Sequence, residues 1–308
     1  MSQTVNNNRL FLASCFALIT TSMAFGIRAG VLTQLGDTFK LDAEHLGYVN
    51  QMAFLGFPIA MIIGGPLYNV LGPKKIMWVA FATHVLGLVM TIFASGFWTL
   101  LNSTFFVGFG NGTVEAACNP MISDMYEGNQ KTKMLNRFHM WFPGGIVLGS
   151  LISKFMTDGG MTWQAQVWVM MVPTLAYAVL FFGKAFPKPS VEGVTSVGSN
   201  IKAMFSPVFI FLFFAMALTA ISEFGPQQWV GLIMSKSGAS PMLILALTTG
   251  VMAVGRFFAG PVVKALGQTG VLLGGAIFAS IGVFMFSTVT GPMAYVAAFV
   301  FAIGVCYF

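Results

Sequence analysis

Residues 76–123 read IMWVAFATHVLGLVMTIFASGFWTLLNSTFFVGFGNGTVEAACNPMIS, and Glu115 is the one charged side chain in this stretch. About 20 helical residues cross the hydrocarbon core of a bilayer, so the stretch is long enough to cross it twice. A carboxylate at the centre of such a crossing costs about 2.5–3.5 kcal/mol on insertion scales. We therefore expect Glu115 to face a cavity, a partner charge or a proton, which indicates a transport site.

The composition of the whole chain is that of a multi-pass membrane protein. It is 56% hydrophobic and 8% charged, whereas soluble domains are roughly 25% charged. Long apolar runs recur along the chain and predict an all-α membrane fold of about ten helices. The predicted spans are 10–35, 46–71, 76–95, 97–123, 134–157, 163–185, 206–235, 239–264, 269–290 and 291–308.

One connection is longer than the others and divides the predicted helices into two bundles. Residues 186–205 carry two prolines, two glycines and two lysines, a composition typical of a linker. We predict an N-terminal six-helix bundle over 1–185, a cytoplasmic linker over 186–205 and a C-terminal bundle over 206–308. The last run stops inside an apolar segment, so we expect that bundle to be truncated, with about four helices.

Basic residues predict the orientation of the chain. If the N-terminus is cytoplasmic, Lys40, Lys154 and Lys236 fall on the outer side. Most other lysines and arginines then fall inside, as the positive-inside rule requires. This distribution accounts for the net charge of +6 without nucleic acid, whose binders cluster basic residues on one soluble face. We expect a multi-pass protein of the inner or plasma membrane.

An internal repeat links the two predicted bundles. The sequence GPLYNVLG over 65–72 closes the second span, and GPVVKALG over 260–267 closes the eighth. The same offset relates Arg28 in the first span to Glu223 in the seventh. Repeats of this kind are typical of transporters built from two parallel halves.

The loop after the second span resembles that of the major facilitator superfamily. The superfamily signature is G-x-x-x-D-[RK]-x-G-[RK]-[RK], and its gating-loop positions are matched by Gly65, Gly72, Lys74 and Lys75. Asn69 and Val70 stand at the acidic position and at the basic position after it, so the charge latch attributed to this signature is weakened. The resemblance implies a two-bundle fold that extends over essentially the whole chain.

Within that superfamily, three segments resemble the fucose–proton symporter family. Their patterns are Gly110-x-Gly112-x-x-Glu115-x-x-x-Asn119-Pro120, Leu135-Asn136-x-x-His139-x-x-Phe142-x-x-Gly145-x-x-x-Gly149, and Glu223 followed six residues later by Trp229. The family places an Asn-Asp pair in the first span, where this chain has Arg28-Ala29. Either Glu115 alone carries the proton, or the site binds an anion through Arg28.

The charged candidates each have a structural alternative. Glu115 is expected to take up and release a proton, or else to form a permanent ion pair with Arg28 that ties two helices together. Arg28 is a candidate solute ligand, but its side chain can also extend to the outer interface.

The remaining candidate solute ligands are Glu223 and several side chains that carry no charge at neutral pH. His139 is a candidate donor or proton relay, or else a partner in an interhelical hydrogen bond. Trp141 and Trp229 suit stacking on a sugar ring and also suit anchoring in a core or interface. The other candidates for solute binding are Asn119, Asn136, Glu223 and Gln227.

The sequence contains no enzyme or ATPase signature. It lacks G-x-x-x-x-G-K-[ST], H-E-x-x-H and G-x-S-x-G, and we predict no enzyme activity, no cofactor and no metal. The main hypothesis is a monomeric, proton-coupled symporter of a monosaccharide or related small solute, with the lipid bilayer as its surroundings and no nucleic-acid partner. The alternatives are an organic-anion or sugar-acid carrier centred on Arg28 and, from another class, a non-transporting membrane sensor or assembly subunit.

Overall fold

The computed structural model describes residues 5–189, 197–234 and 237–306, and these residues form helices and irregular connections without a strand. The all-α prediction is confirmed. The helices are α1 (Asn7–Phe39), α2 (Ala43–Ile92), α3 (Phe97–Met125), α4 (Gly128–His139), α5 (Trp141–Asp158), α6 (Trp163–Val169), α7 (Met171–Phe181), α8 (Val197–Met204), α9 (Pro207–Gln228), α10 (Val230–Ile233), α11 (Pro241–Phe257), α12 (Ala259–Thr288) and α13 (Met293–Val305).

Two of these helices each run through the end of one predicted span and into the next. Gly72 interrupts α2 with φ 74° and ψ 159°, and Gly267 interrupts α12 with φ 69° and ψ 165°. Only glycine adopts this region of backbone space readily. The two glycines end the two copies of the sequence repeat, so both copies finish with the same backbone turn.

The predicted span 206–235 is broken at Trp229, which no proline follows three residues later, and three more predicted spans are broken by a single turn residue ahead of a proline. These three interruptions lie at Met140, Met170 and Phe258. Each is followed three residues later by a proline, namely Pro143, Pro173 or Pro261. A proline lacks the N–H group for the i to i−4 bond and its ring clashes with the carbonyl group one turn back, which breaks the helix there.

Five helical stretches within the described residues are long and apolar enough to cross a membrane: 7–39, 43–92, 163–181, 207–228 and 261–288. The predicted linker contains α8, a short helix that the composition did not indicate. Residues 190–196 of that linker lie outside the described part of the chain.

Internal contacts divide the chain into two compact units. The first unit comprises Met1–Thr21, Leu35–Phe142 and Trp163–Ile210, and the second comprises Ser22–Gln34, Pro143–Thr162 and Phe211–Phe308. The predicted domain boundaries at 185/186 and 205/206 stay a prediction, because this division follows packing density and not the order of spans along the chain.

Close helix packing in the first unit depends on small residues of α3. A Cβ atom added at Gly108 would lie 2.2 Å from the carbonyl oxygen of Ala53, and one added at Gly112 would lie 2.1 Å from that of Phe57. Such short distances leave room for hydrogen only, so α2 and α3 touch through their backbones. This contact fixes the rotation of α3 and thereby the direction in which Glu115 points.

The second unit uses the same device. A Cβ atom added at Gly26 of α1 would lie 2.8 Å from the carbonyl oxygen of Ile146 in α5, and one added at Gly304 of α13 would lie 2.1 Å from the backbone nitrogen of Ala279 in α12. The segment of α1 that carries Arg28 is therefore held tightly against α5.

Candidate functional site

Glu115 lies in the middle of α3 and is 7% exposed. The side-chain amide of Asn119, one helical turn further on, donates a 2.6 Å hydrogen bond to its Oε2 atom. Within the described residues of its own unit, Glu115 has no ion pair. A buried carboxylate needs either a cation or a proton to offset its loss of hydration, and an amide donor supplies only part of that.

The Glu115 side chain lines a cavity of about 430 Å³ in the first unit. Polar groups on its wall are Glu115, Asn119 and Asp124 from α3 and Tyr68 and Asn69 from α2. The Tyr68 hydroxyl donates a 2.7 Å hydrogen bond to Oδ2 of Asp124. The Oδ1 atom of Asn119 is buried and accepts no hydrogen bond from the described residues. The cavity thus combines two carboxyl groups with several neutral groups that bind water.

Arg28 lies in the second unit, is 9% exposed, and contacts α9. Its Nε and Nη2 atoms donate to Oε1 of Gln228 at 3.2 and 2.8 Å, and its guanidinium lies 5.1 Å from the ring centre of Phe25. The Phe25 ring stacks on Phe224 at 5.3 Å. Arg28 is buried, so the alternative in which its side chain extends to an interface does not describe this structure.

Glu223 lies in the same unit and is 6% exposed. Its Oε2 atom lies 3.7 Å from Nη2 of Arg256, which closes α11, and the Nε atom of Arg256 donates to the carbonyl oxygen of Cys306 at 3.1 Å. The Arg256 side chain therefore contacts other helices, and its positive charge offsets the negative charge of Glu223.

Gln227 and Trp229 lie beside this pair at the end of α9. Gln227 is 3% exposed, its Nε2 atom lies 3.7 Å from the sulfur of Met252, and its Oε1 atom has no partner among the described residues. Trp229 is half-buried at the break between α9 and α10. A buried amide oxygen without a donor is a suitable acceptor for a solute hydroxyl or a water.

The other candidates of the first unit are not on the Glu115 cavity. Asn136, His139 and Trp141 are exposed around the break between α4 and α5, and the cavity wall does not include them. In the gating-loop motif, Gly65 lines the cavity, Gly72 forms the break in α2, and Lys74 and Lys75 are exposed.

Three residues of these clusters were not expected from the sequence. Tyr68 lies inside the first copy of the repeat, and Asp124 is the charged residue that ends the run 76–123. Arg256 was counted only among the basic residues that the orientation places on the inner side. Across the described residues no group of three or more His, Cys, Asp or Glu side chains is placed to hold a metal ion.

A helical fold with several stretches long enough to cross a membrane and with ionisable side chains buried inside it defines a class of protein, the multi-pass membrane proteins. The chain belongs to the Major Facilitator Superfamily, whose family model matches residues 10–308.

Individual relatives are distant. The Hexuronate transporter of Bacillus subtilis (strain 168) is 25% identical over 205 residues, which are 64% of this chain and 47% of that protein. The Arabinose-proton symporter of Escherichia coli (strain K12) is 25% identical over 192 residues, which are 62% of this chain and 40% of that protein. The chain thus spans less than half the length of these curated relatives.

Solved structures share the fold. The crystal structure of a D-xylose-proton symporter aligns with a TM-score of 0.73 at 16% sequence identity and covers 97% of this chain and 80% of its own. This agreement confirms the predicted fold class. The resemblance to the fucose–proton symporter family stays a prediction.

Proposed function

We propose that the chain forms part of a secondary active transporter that couples proton movement to the movement of a monosaccharide or a related small solute. The observation that carries this proposal is Glu115, a buried carboxyl group on a polar cavity with an amide partner and no ion pair among the described residues of its unit. A proton is the simplest ion that neutralises such a group and leaves it again during a transport cycle. The name of the Arabinose-proton symporter supports the same solute class and coupling ion.

The proposal assigns a role to each candidate residue. Glu115 holds the proton, and Asn119 orients its carboxylate. Asn136, His139, Glu223 and Gln227 are proposed as hydrogen-bonding solute ligands, and Trp141 and Trp229 as stacking surfaces. We place the protein in the inner or plasma membrane as a monomer. Its N-terminus is placed in the cytoplasm, because most lysines and arginines then lie on the inner side.

The size of the coupling can be calculated. One elementary charge that moves through 100 mV releases about 2.3 kcal/mol, which corresponds to roughly fifty-fold accumulation of a neutral solute. We expect the full-length protein in vesicles to accumulate at least one labelled sugar by a factor of this order under a matching proton gradient. A thermal-shift screen with D-xylose, L-arabinose, L-fucose and D-glucuronate selects the labelled probe.

The variant Glu115→Gln tests the assignment of the proton site. It keeps the shape of the side chain and removes its titration, so we expect accumulation to fall to the level of passive equilibration. Glu127→Gln, which changes an exposed carboxylate just after α3, serves as the control and should accumulate like the unchanged protein. Gradient-driven accumulation by Glu115→Gln would show that the proton is carried elsewhere.

A specific observation also favours a sugar-acid or organic-anion carrier. Arg28 is buried with two of its nitrogens on a single neutral oxygen, that of Gln228, and an arginine fork binds carboxylates in this two-point manner. The Hexuronate transporter is a relative whose name indicates an acidic sugar. If the protein has this function, Arg28→Lys should weaken D-glucuronate transport at least ten-fold. Neutral sugars should neither bind to the unchanged protein nor compete with glucuronate for transport. Neutral-sugar transport that is unaffected by glucuronate would exclude this second function.

A further inference from the structure

The cavity beside Glu115 extends along α3 to a second carboxyl group, that of Asp124. Both side chains line its wall. They lie nine residues apart in the sequence, which corresponds to about 13 Å along a helix at 1.5 Å per residue. This separation is too long for a direct proton transfer between the two carboxyl groups, so a route between them requires intermediate polar groups or water.

The cavity supplies both. Asn119 donates to Glu115 at 2.6 Å, and Tyr68 donates to Asp124 at 2.7 Å. The buried Oδ1 atom of Asn119 has no donor among the described residues, and a buried oxygen of this kind is ordinarily satisfied by an ordered water. A volume of about 430 Å³ exceeds many times the roughly 30 Å³ that one water occupies in the liquid.

The Asp124 end of the cavity is the lysine-rich end. Asp124 is followed by the last residue of α3, and Tyr68 and Asn69 lie about one turn before the break at Gly72. The exposed lysines Lys74 and Lys75 come directly after that break. Lysine-rich loops mark the cytoplasmic side of a membrane protein, so the cavity leads from Glu115 toward the cytoplasm.

We propose that Asp124, oriented by the Tyr68 hydroxyl, is the group through which the proton of Glu115 leaves for the cytoplasm. The Glu115 carboxyl group gives its proton to a cavity water, and the protonated water gives a proton to the Asp124 carboxylate. Glu115 is left as a carboxylate, and Asp124 then releases the proton to bulk water. This inference rests on the proposed proton coupling and adds the route of release.

The proposal separates two transport activities. Exchange of labelled for unlabelled solute across the membrane requires no proton release, because Glu115 keeps its proton through the whole cycle. Net uptake driven by a proton gradient requires release in every cycle. A defect confined to release therefore slows net uptake and leaves exchange intact, whereas a purely structural defect lowers both.

The decisive experiment compares net uptake and exchange for Asp124→Asn in vesicles, with the labelled sugar selected by the thermal-shift screen. We expect net uptake to fall ten-fold or more while exchange stays within two-fold of the unchanged protein. Asp124→Glu should restore net uptake. Tyr68→Phe removes the hydrogen bond and keeps the charge, so it should show the same pattern to a smaller degree. Glu127→Gln is the control and should change neither activity.

Three results would overturn the proposal. Net uptake by Asp124→Asn at the unchanged rate would show that the proton leaves by another route. Equal loss of exchange and net uptake in both Asp124→Asn and Tyr68→Phe would assign the pair a structural role. Absence of gradient-driven uptake in the unchanged protein would contradict proton coupling itself, and the release route would fall with it.

Discussion

Two buried carboxyl groups, Glu115 in α3 and Glu223 in α9, differ in what balances their charge. Both are less than a tenth exposed. Glu223 has the guanidinium of Arg256 at 3.7 Å, whereas the recorded partner of Glu115 is the neutral amide of Asn119. An acid with a fixed cation can stay ionised, and an acid with only an amide is the better candidate for a proton. The same residue type thus lies beside a fixed cation in one unit and is proposed to have a coupling role in the other.

The largest expected effect concerns the pair that is balanced. Arg256→Met leaves Glu223 buried without a cation, and loss of one partner from a buried pair costs about 3–5 kcal/mol. The Arg256 side chain is 29% exposed, so we expect a loss near the lower end of that range. The measurement is thermal unfolding of the purified protein. Lys264→Met, at an exposed lysine, is the matched control and should leave the unfolding temperature unchanged.

A second substitution decides whether the unpaired charge is the cause. Adding Glu223→Gln to Arg256→Met removes the charge that the first change left unbalanced, so the double variant should regain most of the lost stability. If the double variant is no more stable than Arg256→Met alone, the pair does not balance charge and the contrast with Glu115 is wrong.

The next effect concerns the amide beside Glu115. A hydrogen bond to a charged group contributes about 1.5–3 kcal/mol, so Asn119→Leu should slow solute uptake about ten- to a hundred-fold. Glu115 still carries the proton, and the final accumulation ratio should therefore stay the same. Initial rates and steady-state levels in vesicles measure the two quantities separately. Asn102→Leu, an exposed asparagine earlier in the same helix, is the control. Loss of accumulation by Asn119→Leu would give Asn119 a share in coupling.

A third prediction tests whether the two copies of the repeat are equivalent. Gly72 and Gly267 have nearly the same positive φ, in a region that costs other residues about 1–3 kcal/mol. Gly72→Ala and Gly267→Ala should therefore lower the unfolding temperature by similar amounts. Gly274→Ala in the helical part of α12 meets open space and should be neutral or slightly stabilising. A large difference between the first two variants would indicate that the repeat does not extend to the backbone.

Much of the fold followed from the sequence because the length of an apolar run is a local property. The break at Gly72 lies where the second span was predicted to end, since glycine there permits a backbone that other residues resist. The break at Met140 was missed, although Pro143 lies three residues beyond it. A proline alone does not predict a break, because Pro58, Pro66, Pro120 and Pro226 lie inside helices that continue past them.

Partners within the sites could be predicted less well because they depend on how the helices rotate and pack. The position of Glu115 in an uncharged run made it a candidate, but nothing local to it indicates Tyr68 or Asp124. Glu223 and Arg256 are separated by the end of α9, by α10 and by most of α11, and only the way these helices fold back on one another determines their distance. The sequence therefore made both buried acids candidates and gave no way to distinguish the surroundings of one from those of the other.

The smallest expected effect concerns Asp42, an exposed carboxylate outside the spans. It serves as a reference for the two buried carboxyl groups. Asp42 precedes α2 and accepts from the backbone N–H of His45 at 2.9 Å, and this bond, with the His45 side chain, lowers the pKa of Asp42 below its ordinary 3.8. Its contribution to stability is therefore present above pH 3.8 and is lost as the pH falls through the lower pKa of the folded protein. Asn6 caps α1 in the same way through the N–H of Arg9 but does not titrate.

Thermal unfolding of Asp42→Asn and of the unchanged protein between pH 7 and pH 3 measures this contribution. The unchanged protein should be slightly more stable at pH 7, and the difference should shrink toward pH 3 because Asp42 begins to take up a proton there, whereas an asparagine at the same position does not titrate. Asn6→Ala should lower the unfolding temperature by an amount that does not depend on pH. A difference between Asp42→Asn and the unchanged protein that grows toward pH 3 would reverse the sign of the cap. In that case Asp42 could not serve as the exposed carboxylate with which Glu115 and Glu223 are compared.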